Sequence, residues 1–395
     1  MNSQRQQFLS LIGQTSPEPM LLDIESAEGV YLYDSSGERY YDLISGICVS
    51  GIGHGNEKVK TAIKDQLERH QHVMVYGEFI QSPQVALAKS LIKVLPESLN
   101  NVYFVNSGSE AIEGAMKLAK RFTGRLEIIA AKNAYHGSTH GAMSLMSDPT
   151  FNQSFRPLVP GIRFIEFNNE HSLTNITENT AAVVIEVIQG EGGIHVIDDS
   201  FIKALRKRCD EVGCLLIFDE IQSGMGRTGK LFAFEHFKVI PDVLCVAKAF
   251  GGGMPLGAFI SSREIMSVFH SNPVRGHITT FGGHPVSCAA AHAALHVLLN
   301  DISMEEVLQK EKQFRGLLVH DKIKAVRGKG LMLAIDFRDS SFAMHVMKQC
   351  LKNNVIIDWF LFDDNSLRIA PPLIIEMSEI DEVCGRILKS IDEVS

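Results

Sequence analysis

The chain has 395 residues, 45% apolar and 21% charged, enough for a sizeable core and one or two domains. A net charge of −8 without a clustered basic stretch argues against nucleic acid as a partner, and no run approaches the ~18 apolar residues of a membrane span. Seven cysteines, scattered and never spaced C-x-x-C, argue against a disulfide framework or a zinc site.

The start, Met1 to Gln7, is polar and lacks the apolar core of a signal peptide, so with free thiols the expected location is the cytoplasm. Tyr31 to Tyr41 reads as two short strands around a Ser-Ser-Gly turn. From about residue 57 to residue 298, helical patterns such as Ala111 to Lys120 alternate with the apolar runs 102–105, 182–185, 215–218 and 243–247. That alternation predicts an α/β domain on a mostly parallel sheet. After a helical stretch near Ala289 to Leu299 the pattern breaks into separated helices and strands, ending in an amphipathic helix. A second, smaller C-terminal domain is expected from this change.

Three places carry chemistry. The run Val102 to Val105 leads into Asn106-Ser-Gly-Ser-Glu110 and then apolar Ile112, Ala115, Met116 and Ala119, a strand, a small-residue turn and a helix start. Such a turn offers backbone N–H groups and the Ser109 hydroxyl to a phosphate, or is simply a Ser/Glu helix cap. Leu215 to Phe218 ends in Asp219 and Glu220, and ligands of open α/β sheets gather at the carboxyl ends of strands. A carboxylate there could keep a pyridine nitrogen protonated. Lys248 follows the run Val243 to Ala247 and precedes Gly251-Gly-Gly253. It reads either as a surface lysine before a flexible loop or as an amine partly desolvated for attack on a carbonyl.

Gly224-Met-Gly-Arg-Thr-Gly229-Lys230 imitates a dinucleotide or triphosphate loop. Leu231 stands where a triphosphate loop needs a hydroxyl for magnesium, and no strong helical pattern follows. A nucleotide-binding protein is therefore the alternative from a different functional class. No His/Cys/Asp/Glu spacing for a metal is found.

Taken in order, Asn106 to Ala111, Ala134-Tyr-His-Gly137, Glu186-Val-Ile-Gln-Gly-Glu-Gly192, Phe218 to Gly229, Ala247 to Gly253, Thr280-Phe-Gly-Gly-His-Pro285 and Leu367-Arg-Ile-Ala-Pro-Pro372 resemble the class III aminotransferases over most of the chain. The resemblance implies a fold-type I transferase dependent on pyridoxal 5′-phosphate (PLP), with a large mostly parallel-sheet domain, residues 51–290, and a smaller α+β domain from both chain ends, residues 1–50 and 291–395. It implies Lys248 as the Schiff-base lysine, Asp219 as the partner of the pyridine nitrogen and Gln222 beside the ring hydroxyl. Ser107, Gly108 and Ser109 match the phosphate cradle, Tyr135 the aromatic on the ring face, His136 its neighbour in the wall, and Glu186 a further cofactor contact. Thr280 matches a threonine that reaches the partner subunit's phosphate, so the implied assembly is a homodimer with a shared active site. Arg368 matches the arginine that grips a substrate carboxylate, for which a planar guanidinium is suited. Glu191 matches the glutamate that pairs with it when that slot must be empty. The implied reaction moves an amino group from an ω-amino acid or related amine to a 2-oxo acid, 2-oxoglutarate being expected. An aminomutase of the same fold is the alternative within the class.

Two stretches depart from relatives that use ornithine or its acetyl derivative. Ser138 and Thr139 stand where those carry an arginine, and Ile47 and Cys48 where they often carry a pocket tyrosine. A donor with a less polar tail becomes plausible, and acetylornithine-like or 4-aminobutyrate-like donors, diamines and β-amino acids all stay open.

Overall fold

The apolar runs build the centre of a seven-stranded sheet. In a computed structural model describing residues 4–337 and 339–395, its order is Asn101–Val105, Gly257–Ser261, Val243–Val246, Leu215–Asp219, Thr180–Glu186, Glu127–Ala131 and Ile162–Ile165. The first three residues of the polar start, Met1 to Ser3, lie outside the described residues. Gly257–Ser261 runs antiparallel to both neighbours, while the other pairings are parallel. The sheet is thus mostly parallel, as expected. Thr180–Glu186, Leu215–Asp219 and Val243–Val246 are buried at every position, the condition of central strands covered on both faces.

The helix Gly108–Thr123 lays Ala111, Ile112, Ala115, Met116, Leu118 and Ala119 on one face of the sheet. Helix and sheet approach closely at Gly114, where a Cβ would come within 2.3 Å of the Phe259 ring. Asp199–Val212 covers the other face with Phe201, Ile202 and Leu205. The sequence-based helix near Ala289 is longer than read: it runs Pro285–Asn300 and packs on Glu57–Arg69 and Ser82–Ile92. Residue 290 therefore falls inside a helix.

The Tyr31 hairpin forms as expected, Tyr31–Asp34 pairing antiparallel with Arg39–Asp42. Val355–Ile356, from the other end of the chain, adds to Arg39–Asp42 in parallel. A further sheet orders Ala325–Lys329, Met332–Asp336, Ser366–Ile369 and Asp358–Trp359, and the final helix Met377–Val394 buries Ile380, Val383, Ile387 and Ile391.

The segment after the hairpin corrects one expectation. Ser45, Gly46, Ile47 and Cys48 all have positive φ, at 43°, 63°, 61° and 64°. A left-handed turn of L-residues costs roughly 1–2 kcal/mol per residue. Asp42 offsets this by accepting from the backbone N–H of Ile44 and Ser45 at 3.0 and 2.7 Å, and the Ser45 hydroxyl donates to the Ala370 carbonyl at 2.7 Å. The turn buries Cys48, and the residue it delivers to the cavity wall is Val49, not Ile47 or Cys48.

Candidate active site

A cavity of about 410 Å³ opens at the carboxyl ends of the central strands. It is lined by Ser107, Gly108 and Ser109 from the first strand–helix turn, by Tyr135 and His136, by Glu186 and Glu191, and by Asp219, Gln222 and Lys248. Ten of the residues singled out in the sequence thus meet in one place, although Lys248 and Tyr135 lie more than a hundred positions apart.

The helix start carries both of its sequence readings at once. The Ser107 hydroxyl caps the helix by accepting from the Glu110 N–H at 3.2 Å, and Glu110 accepts from the backbone and side chain of Asn106 at 2.6 and 2.9 Å. The cap leaves the first-turn N–H groups without intrahelical acceptors, aimed at a cavity where an anion is favoured. Gly137 closes on this turn: with φ of +126°, its Cβ would stand 2.1 Å from the Ser109 hydroxyl oxygen. Only glycine permits that approach.

Below the turn lies a buried acid–histidine cluster. Asp219 is 4% exposed; its Oδ2 is 2.7 Å from His136 Nδ1 and its Oδ1 accepts from the Ile221 N–H at 3.0 Å. Burial disfavours the His136 cation, but the hydrogen bond and charge of Asp219, with the charge of Glu186, outweigh it and raise the imidazole above its ordinary value. His136 thus orients the acid, a pairing that the sequence, which made it a wall residue, did not show. Burial likewise pushes Glu186 up to about 7, with the Asp219 charge adding and His136 opposing. The Glu186 oxygens accept from the N–H groups of Tyr135 and Gly190 at 3.1 and 3.0 Å, so this acid clamps two wall loops together.

Two polar atoms here, His136 Nε2 and Gln222 Nε2, are buried without a partner in the chain. Buried groups left unpaired in a cavity wall signal a polar ligand. Lys248 follows the strand Val243–Val246 and has φ of 51°, a left-handed conformation costing about 1–3 kcal/mol in a residue with a Cβ. Arg368 does not itself line the cavity; 1% exposed, it donates from Nη2 to Oε1 of the wall residue Glu191 at 2.6 Å, with the Phe360 ring centre 4.8 Å from its guanidinium carbon.

Thr280 is not brought to this cavity; it is exposed on the surface of the chain. Ser138 and Thr139 also lie outside it, the Ser138 hydroxyl 2.9 Å from that of Tyr135 and Thr139 donating to Glu113 at 2.7 Å. Wall residues to which the sequence reading gave no site role include Val49, Asn106, Ile221, Met254, Pro255 and Leu256. Asn106 and Ile221 lie inside the motifs and were within its reach; Val49 depends on the left-handed turn.

The glycine loop 224–229 is also away from the cavity. Arg227 within it is 2% exposed and donates to the carbonyls of Leu331, at 3.1 Å, and Pro371. The loop therefore ties the large sheet to the C-terminal segments.

Comparison with known proteins gives one family throughout. The model of the class III aminotransferases matches residues 12–391. The chain is 39% identical over 379 residues to the acetylornithine aminotransferase of Methanocaldococcus jannaschii, covering 93% of this chain and 92% of that one. It is 38% identical over 380 residues to the putrescine aminotransferase of Pectobacterium atrosepticum, covering 92% and 80%. Among solved structures, the ornithine aminotransferase of Toxoplasma gondii superposes with a TM-score of 0.92 at 28% identity, over 100% of this chain and 96% of that one.

Proposed function

The chain belongs to the class III aminotransferases, PLP-dependent enzymes that move an amino group from an amine to a 2-oxo acid, and on that premise we propose that its donor is an ω-amino acid or a diamine and its acceptor 2-oxoglutarate. The observation that carries this reading is the convergence on one cavity of Lys248, the Asp219–His136 pair, a helix N-terminus and Glu191, which holds the buried Arg368.

The residues fit the cofactor. The first-turn N–H groups of Gly108 and Ser109 would hold its phosphate, Asp219 its ring nitrogen and the unpaired Gln222 amide its ring hydroxyl, with Tyr135 against the ring face and Lys248 Nζ as the point of covalent attachment. PLP supplies a reactive aldehyde and a ring that accepts electrons. The chain supplies the rest. Asp219, fixed by His136 and the Ile221 N–H, presents a negative charge that needs no reorganisation during reaction. Lys248 Nζ, as a free amine, would take up the proton removed from the donor carbon. Glu191 occupies Arg368 while the donor reacts and yields it to the carboxylate of the 2-oxo acid. An occupied gate of this kind suits an enzyme that alternates two unlike substrates, which weighs against an aminomutase.

The assembly proposed is a homodimer with a shared active site. Its support is that Thr280 and Ser107 are exposed, as are the apolar side chains of Phe79, Ile80, Val274, Ile278 and Phe281. Residues 1–50 and 291–395 are proposed as the small domain, supported by the pairing of Val355–Ile356 with Arg39–Asp42. The seven free thiols suit a reducing compartment, so the proposed location is the cytoplasm.

The deciding experiment mixes the PLP-loaded protein with single amines: glutamate, ornithine, N-acetylornithine, 4-aminobutyrate, β-alanine and putrescine. Loss of the visible cofactor band with one ω-amino donor, and its return on adding 2-oxoglutarate, is the expected result. A band that no amine in the panel bleaches would overturn the reading. Borohydride should fix the cofactor's mass onto wild type and not onto Lys248→Ala.

A further inference from the structure

Behind the wall residue Glu191, the Glu191–Arg368 pair has a further charged neighbour. In the antiparallel pair of Asp358–Trp359 with Ser366–Ile369, Asp358 stands directly opposite Arg368. Residues in register share one face of the sheet, with Cβ atoms about 5 Å apart. Arg368 uses Nη2 on Glu191, whereas Nε and Nη1 are buried without a partner in the chain. The guanidinium therefore has two unused donors and two carboxylates in its surroundings. Burial raises the Asp358 carboxyl above its ordinary value, while Arg368 pulls it down and Glu191 pushes it up, so the three groups share one field. One Asp358 oxygen accepts from the Trp359 N–H at 2.9 Å, which keeps the side chain on its strand.

We propose that Asp358 is a specificity-determining residue that biases the donor half-reaction toward diamines. With Glu191 in place, two carboxylates around one guanidinium leave the Glu191 side of the cavity net negative, Asp358 acting from behind the wall. A donor whose far end is cationic suits it better than one ending in a carboxylate. When Glu191 gives way to the 2-oxo acid, Asp358 stays on its strand, and Arg368 holds the incoming carboxylate less tightly than an uncompensated arginine would. The inference rests on Arg368 being the carboxylate site of an aminotransferase.

The test uses PLP-loaded wild type, Asp358→Asn, Asp358→Ala and Arg368→Lys. Binding of glutarate, an unreactive dicarboxylate, is measured by calorimetry, and bleaching of the visible band is timed with putrescine and with glutamate. Asparagine keeps an acceptor for the Trp359 N–H, and melting curves check that each variant is folded. Both Asp358 variants should bind glutarate about tenfold more tightly and shift the putrescine-to-glutamate rate ratio toward glutamate by a similar factor. Glutarate affinity and rate ratio unchanged within about twofold, or moved the other way, would overturn the proposal. If Arg368→Lys leaves glutarate binding intact, the carboxylate-site reading falls and takes the proposal with it. Glutarate binding lost in Arg368→Lys but indifferent to Asp358 sinks the proposal alone.

Discussion

Asp219→Asn keeps the size of the side chain and removes its charge in a buried part of the cavity wall. The wild-type carboxylate has two protein partners, the Ile221 N–H at 3.0 Å and His136 Nδ1 at 2.7 Å. The asparagine oxygen can retain the first. Its amide then faces His136, which can accept only as the neutral imidazole, the form that burial already favours. What folding loses is one charge-assisted hydrogen bond, about 1.5–3 kcal/mol. The reaction loses more, because the fixed negative charge that would face the ring nitrogen is gone. By analogy with removal of one preorganised electrostatic partner, the half-reaction should slow about 10²- to 10³-fold. His136→Asn leaves the charge and removes its orienting partner, so a smaller loss of about tenfold is expected. Rapid-mixing absorbance at matched cofactor occupancy measures both rates, and denaturant titration measures the stability. An Asp219→Asn variant that reacts within about threefold of wild type would refute the assignment of this acid to the ring nitrogen.

Gly137→Ala should weaken PLP retention, measured by dialysis and reconstitution, because the new Cβ would stand 2.1 Å from the Ser109 oxygen at φ of +126°; the strain is on the order of 1–3 kcal/mol. Arg227→Met should lower stability by about 3 kcal/mol or more in denaturant titration while leaving the cavity wall intact, since the buried guanidinium serves the Leu331 and Pro371 carbonyls. Glu220, its carboxyl pushed up to about 7 by burial, holds its proton more tightly folded than unfolded. Its contribution to stability is therefore complete below the ordinary carboxylate range and fades as pH rises through about 7, a loss on the order of 3 kcal/mol that Glu220→Gln should flatten in melting curves taken across that range.

Wherever the chemistry depended on neighbours in the chain, it was legible in the sequence. The Asn106 to Ala119 stretch declares a strand, a turn and a helix because the periodicity changes across small polar residues, and the helix start is positive whatever it packs on. Lys248 and Asp219 could be placed at strand ends for the same local reason, and parallel strands bring such ends to one edge of the sheet. The glycine loop at 224–229 shows the limit of that logic. Its spacing imitates a phosphate loop, yet its backbone serves Arg227 and the C-terminal segments, which no local pattern could reveal.

What only the tertiary structure decided is set by strand order and register across long separations. His136 meets Asp219 across 83 positions and Glu191 meets Arg368 across 177. Asp358 faces Arg368 because an antiparallel register puts it there, and a slip of one residue would turn it to the opposite face. Val49 reaches the wall through a left-handed turn whose cost is met by Asp42 and the Ala370 carbonyl, a balance of strain against distant hydrogen bonds. The sequence alone determined the kind of chemistry, because reactive side chains must sit where local backbone geometry presents them. The fold decided the pairings and the charge gathered behind Glu191, because these arise from segments that meet only when the core is packed.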